Sequence, residues 1–94
     1  MKIPPARAAQ LTEHVLETLP PPPARVLEVG FAGIHAEPLR LAGYTVEVLD
    51  DDPRALERAG SVVEAPTGRY DAVVAPATAD LTGIDAGLVI RLRA

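Results

Sequence analysis

The most constraining stretch of this sequence runs from Arg25 to Asp50, where two apolar segments flank a glycine-containing turn and a short amphipathic segment. Residues Arg25 to Gly30 have the composition of a buried strand, and Tyr44 to Asp50 form a second such segment. Between them, His35 to Ala42 is predicted to be a helix that ends at Gly43. This order predicts a βαβ unit with two parallel strands.

An amphipathic helix is predicted before this unit. Pro4-Pro5 opens it, because proline is tolerated in a first helical turn. Its apolar residues recur at spacings of three and four: Ala8, Leu11, Val15 and Leu19. The run Pro20 to Pro23 ends the helix and predicts an extended spacer over residues 20–24. We expect the helix of residues 1–19 to cover one face of a sheet.

The rest of the chain predicts further short elements. Asp52 before Pro53 begins a helix over Arg54 to Ala59, with the Asp52 carboxylate as its cap. Three more strands are predicted, at Ser61–Ala65, Tyr70–Ala75 and Gly87–Arg93, and Pro76–Ala86 is either a short helix or a loop.

This alternation predicts a single α/β domain over residues 1–94, with residues 25–94 as its core. We expect a doubly wound sheet of about five mostly parallel strands, in the order 3-2-1-4-5, joined by right-handed crossovers. A chain of 94 residues accommodates one hydrophobic core.

Composition excludes several classes of function. The net charge of −4 and the scattered arginines disfavour a nucleic-acid partner. The absence of cysteine removes disulfides, thiolate metal sites and cysteine nucleophiles. No segment reaches the roughly 18 apolar residues of a membrane span, and no apolar signal segment is seen at the start, so we expect a cytoplasmic protein without a membrane partner.

The candidate site is the turn after the first strand. Gly30 and Gly33 lie in that turn, and Asp50 ends the second strand about 20 residues after Gly30. Doubly wound sheets bind nucleotide-like ligands at this place, where an acid accepts hydrogen bonds from ribose hydroxyls.

Four motifs in this order resemble class I, Rossmann-like S-adenosylmethionine-dependent methyltransferases. Val26-Leu27-Glu28-Val29-Gly30 resembles the glycine-motif strand of the family, and residues 46–56 resemble its second-strand motif, with Asp50 as the ribose acid. Glu64-Ala65 resembles the acid-alanine pair whose acid reaches the adenine amino group, and Tyr70 to Val74 resembles the start of the fourth strand. The resemblance implies S-adenosylmethionine as cofactor. It implies these cofactor-binding residues: Glu28, Gly30, Phe31, Gly33, Asp50, Asp51 and Glu64.

The chain departs from the family pattern at two turn positions, where Ala32 and Ile34 replace glycines. The segment Ala75 to Thr78 lacks the Asn-Pro-Pro-aromatic motif of many base methyltransferases, so no catalytic residue is assigned. We also expect the substrate-binding half of such enzymes to be missing from this chain.

Several of these side chains have a structural interpretation as well. Glu28 could be a buried carboxylate satisfied by loop N–H groups, and Phe31 could cover an adenosine or plug the end of the sheet. His35 is interpreted as a surface residue. The run Asp50 to Asp52 could suggest a metal ion, but consecutive side chains point in different directions and Asp52 serves better as a cap, so no metal is predicted.

Three functions remain open at this stage. The first is an S-adenosylmethionine-binding protein, either a small oligomeric enzyme or a cofactor-binding subunit. The second is a degenerate, non-catalytic module that serves protein interaction. The third is a nicotinamide-dinucleotide module, since Gly30-x-Ala32-x-x-His35 followed by Asp50 loosely resembles that fingerprint. A five-stranded sheet with so few helices leaves apolar surface uncovered, which predicts a homodimer or a heteromeric partner.

Overall fold

The computed structural model describes residues 4–93, so residues 1–3 of the predicted helix region and residue 94 of the predicted core lie outside it. The chain is an α/β protein, as predicted. Its elements in chain order are α1 (Pro5–Thr18), β1 (Arg25–Val29), α2 (Ala36–Leu41), β2 (Thr45–Leu49), α3 (Pro53–Ala59), β3 (Arg69–Pro76) and β4 (Asp85–Leu92).

The four strands form one sheet in the order β2-β1-β3-β4, and every neighbouring pair is parallel. In the register, Val26 of β1 pairs with Val46 of β2 on one side and with Ala72 of β3 on the other. The predicted count of five strands and the order 3-2-1-4-5 are therefore wrong. The four strands that do form keep the relative positions predicted for them.

The missing strand is the one predicted at Ser61–Ala65. This segment lies beside β2, but only Val63 donates a backbone hydrogen bond to that strand, to the Val48 carbonyl at 2.8 Å. Val62 packs with the core on one face of the sheet and Val63 with the cluster on the other, as neighbouring side chains of an extended segment do. One backbone hydrogen bond does not make the repeated pairing that defines a strand, so the segment is an extended connection beside the edge of β2.

The helices pack against one face of the sheet. Leu11 and Val15 of α1, Leu39 of α2 and Ala55 of α3 belong to the same buried cluster, which confirms that the first helix covers a sheet face. The strand residues of this cluster are Val26, Val46, Val48, Ala72, Val74, Ile90 and Leu92. The apolar spacing of α1 is thus satisfied by the main core.

The second face is covered by connections. Val63, Leu81 and Ile84, from the segments that lead into β3 and β4, pack on Leu27 and Val73. Connections on this face are what right-handed crossovers require when the chain passes from β2 to β3 and then to β4. The sheet is therefore wound on both faces, but in the described part of the chain helices cover only one of them. The segment Pro76–Ala86, predicted to be a short helix or a loop, contains no helix. Leu81 and Ile84 from this segment help to cover the second face of the sheet.

A polar network holds the connection before β3 at the amino-terminal end of the sheet. Arg25 forms an ion pair with Glu47 at 2.6 Å and stacks over the ring of Tyr70, 4.3 Å from its centroid. The Tyr70 hydroxyl donates to Glu47 at 2.8 Å and accepts the Thr67 N–H at 2.8 Å. Desolvation alone would raise the pKa of Glu47, but hydrogen bonds from Thr67, Arg25 and Tyr70 outweigh it and lower that pKa. This network lies away from the carboxyl ends of the strands.

None of the helices within residues 4–93 combines the length and the apolar character that crossing a membrane requires.

Candidate functional site

The turn after β1 is held in a conformation that favours glycine. Gly30 and Gly33 have φ angles of +76° and +80°, and Ala32 between them has φ +51°. A Cβ atom at Gly30 would lie 2.8 Å from Cδ of Pro76, so this position needs glycine for space as well as for its backbone angle. Ala32 is the one non-glycine residue of the described chain in this region of backbone space. The first strand therefore ends in a tight, sterically locked turn.

Asp50 supports this turn from the end of β2. Its Oδ2 accepts the Ala32 N–H at 2.9 Å, and its Oδ1 accepts the Asp52 N–H at 3.0 Å. The carboxylate thus ties the turn after β1 to the segment that begins α3. The sequence predicted a ligand-binding role for Asp50, whereas these two hydrogen bonds give it a structural role that the sequence did not indicate.

Asp52 caps α3, which confirms the predicted helix start. Its Oδ1 accepts the Arg54 N–H at 3.0 Å, and its Oδ2 accepts from the Arg54 guanidinium at 2.6 Å. Those contacts lower the pKa of Asp52 to about 2. Within residues 4–93 no three histidine or carboxylate side chains are grouped so as to hold a metal ion.

Two grooves meet at the carboxyl ends of β1 and β2. The first groove has a volume of about 500 Å³ and is lined by Val29, Gly30, Leu49, Asp50, Asp51, Val62, Val63 and Glu64. The second groove has a volume of about 520 Å³ and is lined by Pro5, Gly30, Phe31, Ala32, Ile34, Asp50, Asp51, Asp52, Arg54 and Arg58. The two grooves share Gly30, Asp50 and Asp51, so they lie next to each other with these residues between them.

The predicted site residues are distributed unevenly over these grooves. Gly30, Asp50 and Asp51 line both, and Glu64, which belongs to the segment Ser61–Ala65 beside β2, lines only the first. Phe31 lines the second groove, but it is only 3% exposed and belongs to the main core. Of its two interpretations, the structure supports packing at the end of the sheet.

Ile34 is one of the two residues that replace glycines of the family pattern. It lines the second groove and also packs partly against the main core, and it does not line the first groove. The branched side chain therefore lies at the second groove and does not obstruct the first.

Glu28 and Gly33 line neither of these two grooves. Glu28 is fully buried, and its Oε1 accepts the His35 N–H at 2.7 Å, as the structural interpretation of this residue expected. Its Oε2 has no hydrogen-bond partner in the described part of the chain. Burial raises the pKa of Glu28 to about 7, although the hydrogen bond from His35 opposes that shift. Gly33 packs against α3, where a Cβ atom would lie 3.1 Å from the Ala55 carbonyl oxygen.

His35 is fully buried, so its interpretation as a surface residue is wrong. Its Nδ1 lies 2.7 Å from Oγ1 of Thr12 on α1, and its ring meets Phe31 edge to face at a centroid distance of 5.0 Å. Oγ1 of Thr12 also lies 3.0 Å from the Ala8 carbonyl oxygen, so this hydroxyl joins the backbone of α1 to the His35 ring. Nε2 of His35 has no partner within residues 4–93. Burial lowers the pKa of His35 to about 4.

One sequence signal pointed to this buried histidine. Thr12 stands next to Leu11 and between Ala8 and Val15 on the apolar side of α1, a place where a polar side chain needs a buried partner. The partner itself could not be identified without the tertiary structure.

No protein-family model matches the chain, and no curated protein matches its sequence at a significant level.

Proposed function

We propose that this protein binds S-adenosylmethionine, or a related nucleoside that carries methionine, in the first groove. The observation that supports the proposal is the meeting of three separate segments around that groove: the turn at Gly30, the acids Asp50 and Asp51 after β2, and Glu64 beyond the edge of the sheet. Apolar walls from Leu49, Val62 and Val63 complete it. An apolar slot with a few convergent polar groups is the usual form of a small-molecule site.

The residues of the first groove fit the nucleoside part of such a ligand. Each oxygen of Asp50 accepts one backbone hydrogen bond, and a carboxylate oxygen has a second lone-pair direction that a ribose hydroxyl can use. Val62 and Val63 offer apolar contact to an adenine ring, and the exposed Glu64 offers an acceptor for its amino group. We propose these roles for binding and assign no catalytic residue.

The charge of the first groove favours this class of ligand over a dinucleotide. Among residues 4–93, its charged lining consists of Asp50, Asp51 and Glu64, and no cationic side chain of that range lines it. A sulfonium-bearing nucleoside is attracted to such a surface, whereas the anionic pyrophosphate of a nicotinamide dinucleotide is repelled. The nicotinamide module therefore ranks below the methionine nucleoside.

A second candidate function is a module that keeps this fold without binding a cofactor. The two hydrogen bonds of Asp50 favour it, since they give the acid a complete structural purpose within the chain. Phe31 and Ile34, which line the second groove, both pack against the main core, and this points the same way.

Calorimetric titration of the full chain separates these candidates. The ligands are S-adenosylmethionine, S-adenosylhomocysteine, adenosine and NAD. We expect both S-adenosylmethionine and S-adenosylhomocysteine to bind with a dissociation constant below the millimolar range, more tightly than NAD. If neither binds at millimolar concentration, or if NAD binds more tightly, the proposal is wrong.

The variant that tests the site is Val62→Trp, which fills the apolar slot. Asp50→Ala is a poor probe because it also removes two hydrogen bonds that hold the turn. We expect Val62→Trp to abolish binding, whereas the control Leu41→Trp on the far side of α2, at a position that is 81% exposed, leaves it unchanged. Unchanged binding to folded Val62→Trp would place the ligand outside the first groove.

A further inference from the structure

The two edges of the sheet differ in how they are closed. At the outer edge of β2, Val63 donates its N–H to the Val48 carbonyl and blocks the strand. At the outer edge of β4, no backbone hydrogen bond is formed by any residue from 4 to 93. An open edge strand of eight residues is a template for pairing with another strand.

The direction of the peptide groups in β4 shows which of them are free. The Leu92 carbonyl accepts the Ala77 N–H at 3.0 Å, so the polar groups of Leu92 point toward β3. Peptide groups alternate in direction along a strand. Those of Val89 and Arg91 therefore point away from the sheet. The side chain of Val89, 48% exposed, is one of the most exposed large apolar groups of the described chain.

The charges of β4 are arranged asymmetrically. Asp85 stands at its start and Arg91 near its end, and both residues are exposed. Asp85 forms an ion pair with Arg69 in which both side chains are 64% exposed, so its carboxylate remains accessible. Arg91 donates to the carbonyls of Ala77 and Ala79, which leaves its guanidinium at the end of the strand. When two copies of β4 lie antiparallel, the acid of each copy faces the arginine of the other and the strands attract each other. When they lie parallel, like charges face each other and the strands repel.

We propose that β4 pairs with β4 of a second copy of this chain, antiparallel and in the register centred on Leu88. This register places Asp85 of each copy opposite Arg91 of the other, within the strand limits. It also places Gly87, which has no side chain, opposite the exposed Val89. The dimer then contains one continuous sheet of eight strands, with Leu88 next to its own copy at the two-fold axis.

This pairing does not depend on the proposed ligand. The grooves lie at the carboxyl ends of β1 and β2, whereas the pairing edge is at the other side of β3. Failure of ligand binding and failure of dimerisation are therefore separate results.

Sedimentation of the full chain at concentrations up to hundreds of micromolar tests the pairing. We expect the unmodified chain to form a dimer. Asp85→Arg and Arg91→Asp each turn two cross-strand attractions into repulsions, and we expect each to weaken dimerisation by about tenfold. The double variant Asp85→Arg with Arg91→Asp restores opposite charges across the pair and should recover the dimer. Glu57→Arg on α3 makes the same change of net charge as Asp85→Arg, but away from β4, and it should have no effect on dimerisation.

Two further variants test the edge itself. Val89→Pro removes an outward N–H, which an edge strand tolerates for folding but not for pairing. Because the chain has no cysteine, Leu88→Cys introduces a single thiol at the expected two-fold axis, and oxidation should give a covalent dimer. Thr45→Cys on β2 is the control that should not cross-link. A chain that stays monomeric at hundreds of micromolar, or a dimer that is indifferent to the β4 variants, would overturn the proposal.

Discussion

Glu28 and His35 lie together in the core, where the His35 N–H donates to Oε1 of Glu28 at 2.7 Å. Both side chains are fully buried, and within residues 4–93 each keeps one polar atom without a partner, Oε2 of Glu28 and Nε2 of His35. Burial shifts their pKa values in opposite directions, since it favours the neutral form of each group. This pair therefore links the stability of the fold to pH.

The free energy of unfolding should decrease on both sides of a plateau. The pKa of Glu28 rises from 4.5 to about 7 on folding. The stability that the neutral carboxyl group contributes is therefore fully present below about pH 4.5 and is lost as pH rises to about 7. The pKa of His35 falls from 6.5 to about 4, so stability is lost as pH falls through that interval. Between about pH 4.5 and 6.5 the two effects oppose each other. Urea unfolding as a function of pH measures the profile.

Glu28→Gln should remove the loss of stability that occurs as pH rises, because the amide oxygen still accepts the His35 N–H and the side chain has no charge to bury. At pH 8 we expect the variant to be more stable than the unmodified chain, by on the order of 3 kcal/mol, and at pH 5 we expect a much smaller difference. The exposed Glu57→Gln is the control and should leave the profile unchanged. Parallel profiles for Glu28→Gln and the unmodified chain would show that Glu28 stays ionised in the folded protein.

Thr12→Val should destabilise the fold by about 1–3 kcal/mol, because it leaves Nδ1 of His35 buried without its hydrogen-bond partner. Thr18→Val is a matched control. Thr18 also lies on α1 and also donates to the carbonyl four residues earlier, but it is exposed. Chemical denaturation of both variants measures the difference. Equal effects would mean that the contact between Thr12 and His35 contributes nothing to stability.

Ala32→Gly should stabilise the fold by about 0.5–1 kcal/mol, since glycine adopts the left-handed conformation of this position without strain. The same substitution at Ala36, a fully buried residue of α2, should destabilise by about 1 kcal/mol or more. The opposite signs distinguish backbone strain from a general effect of glycine. Thermal and urea denaturation report both, and a loss of stability for Ala32→Gly contradicts the strain argument.

Gly30→Ala should be more damaging than the same change at Gly83. Both residues have positive φ, at +76° and +84°, but a Cβ atom meets Pro76 only at Gly30 and meets nothing within 4 Å at Gly83. We expect Gly83→Ala to lower the free energy of unfolding by about 1 kcal/mol, from backbone strain alone. We expect Gly30→Ala to lower it by about 2–4 kcal/mol, from backbone strain and the clash with Pro76 together. Similar values for the two variants would show that the turn moves away from Pro76.

Local signals in the sequence predicted much of this fold. The apolar spacing of α1, the glycine turn after β1 and the cap at Asp52 are each decided by neighbouring residues, and each was found where it was expected. The segment Ser61–Ala65 was not. Its composition suits a strand, and Val62 and Val63 alternate between the two faces as strand residues do, but only one backbone hydrogen bond joins the segment to β2.

The candidate site also combines features that local sequence predicts with features that depend on tertiary packing. The sequence by itself determined that Gly30 and Asp50 stand at the ends of neighbouring parallel strands, because periodicity and turn sterics act over a few residues. Only the tertiary structure decided that Asp50 accepts the Ala32 N–H and that Glu28 and His35 are buried together. The partner of a polar atom depends on which distant segments packing brings within hydrogen-bond distance, and no local pattern in the chain records that choice.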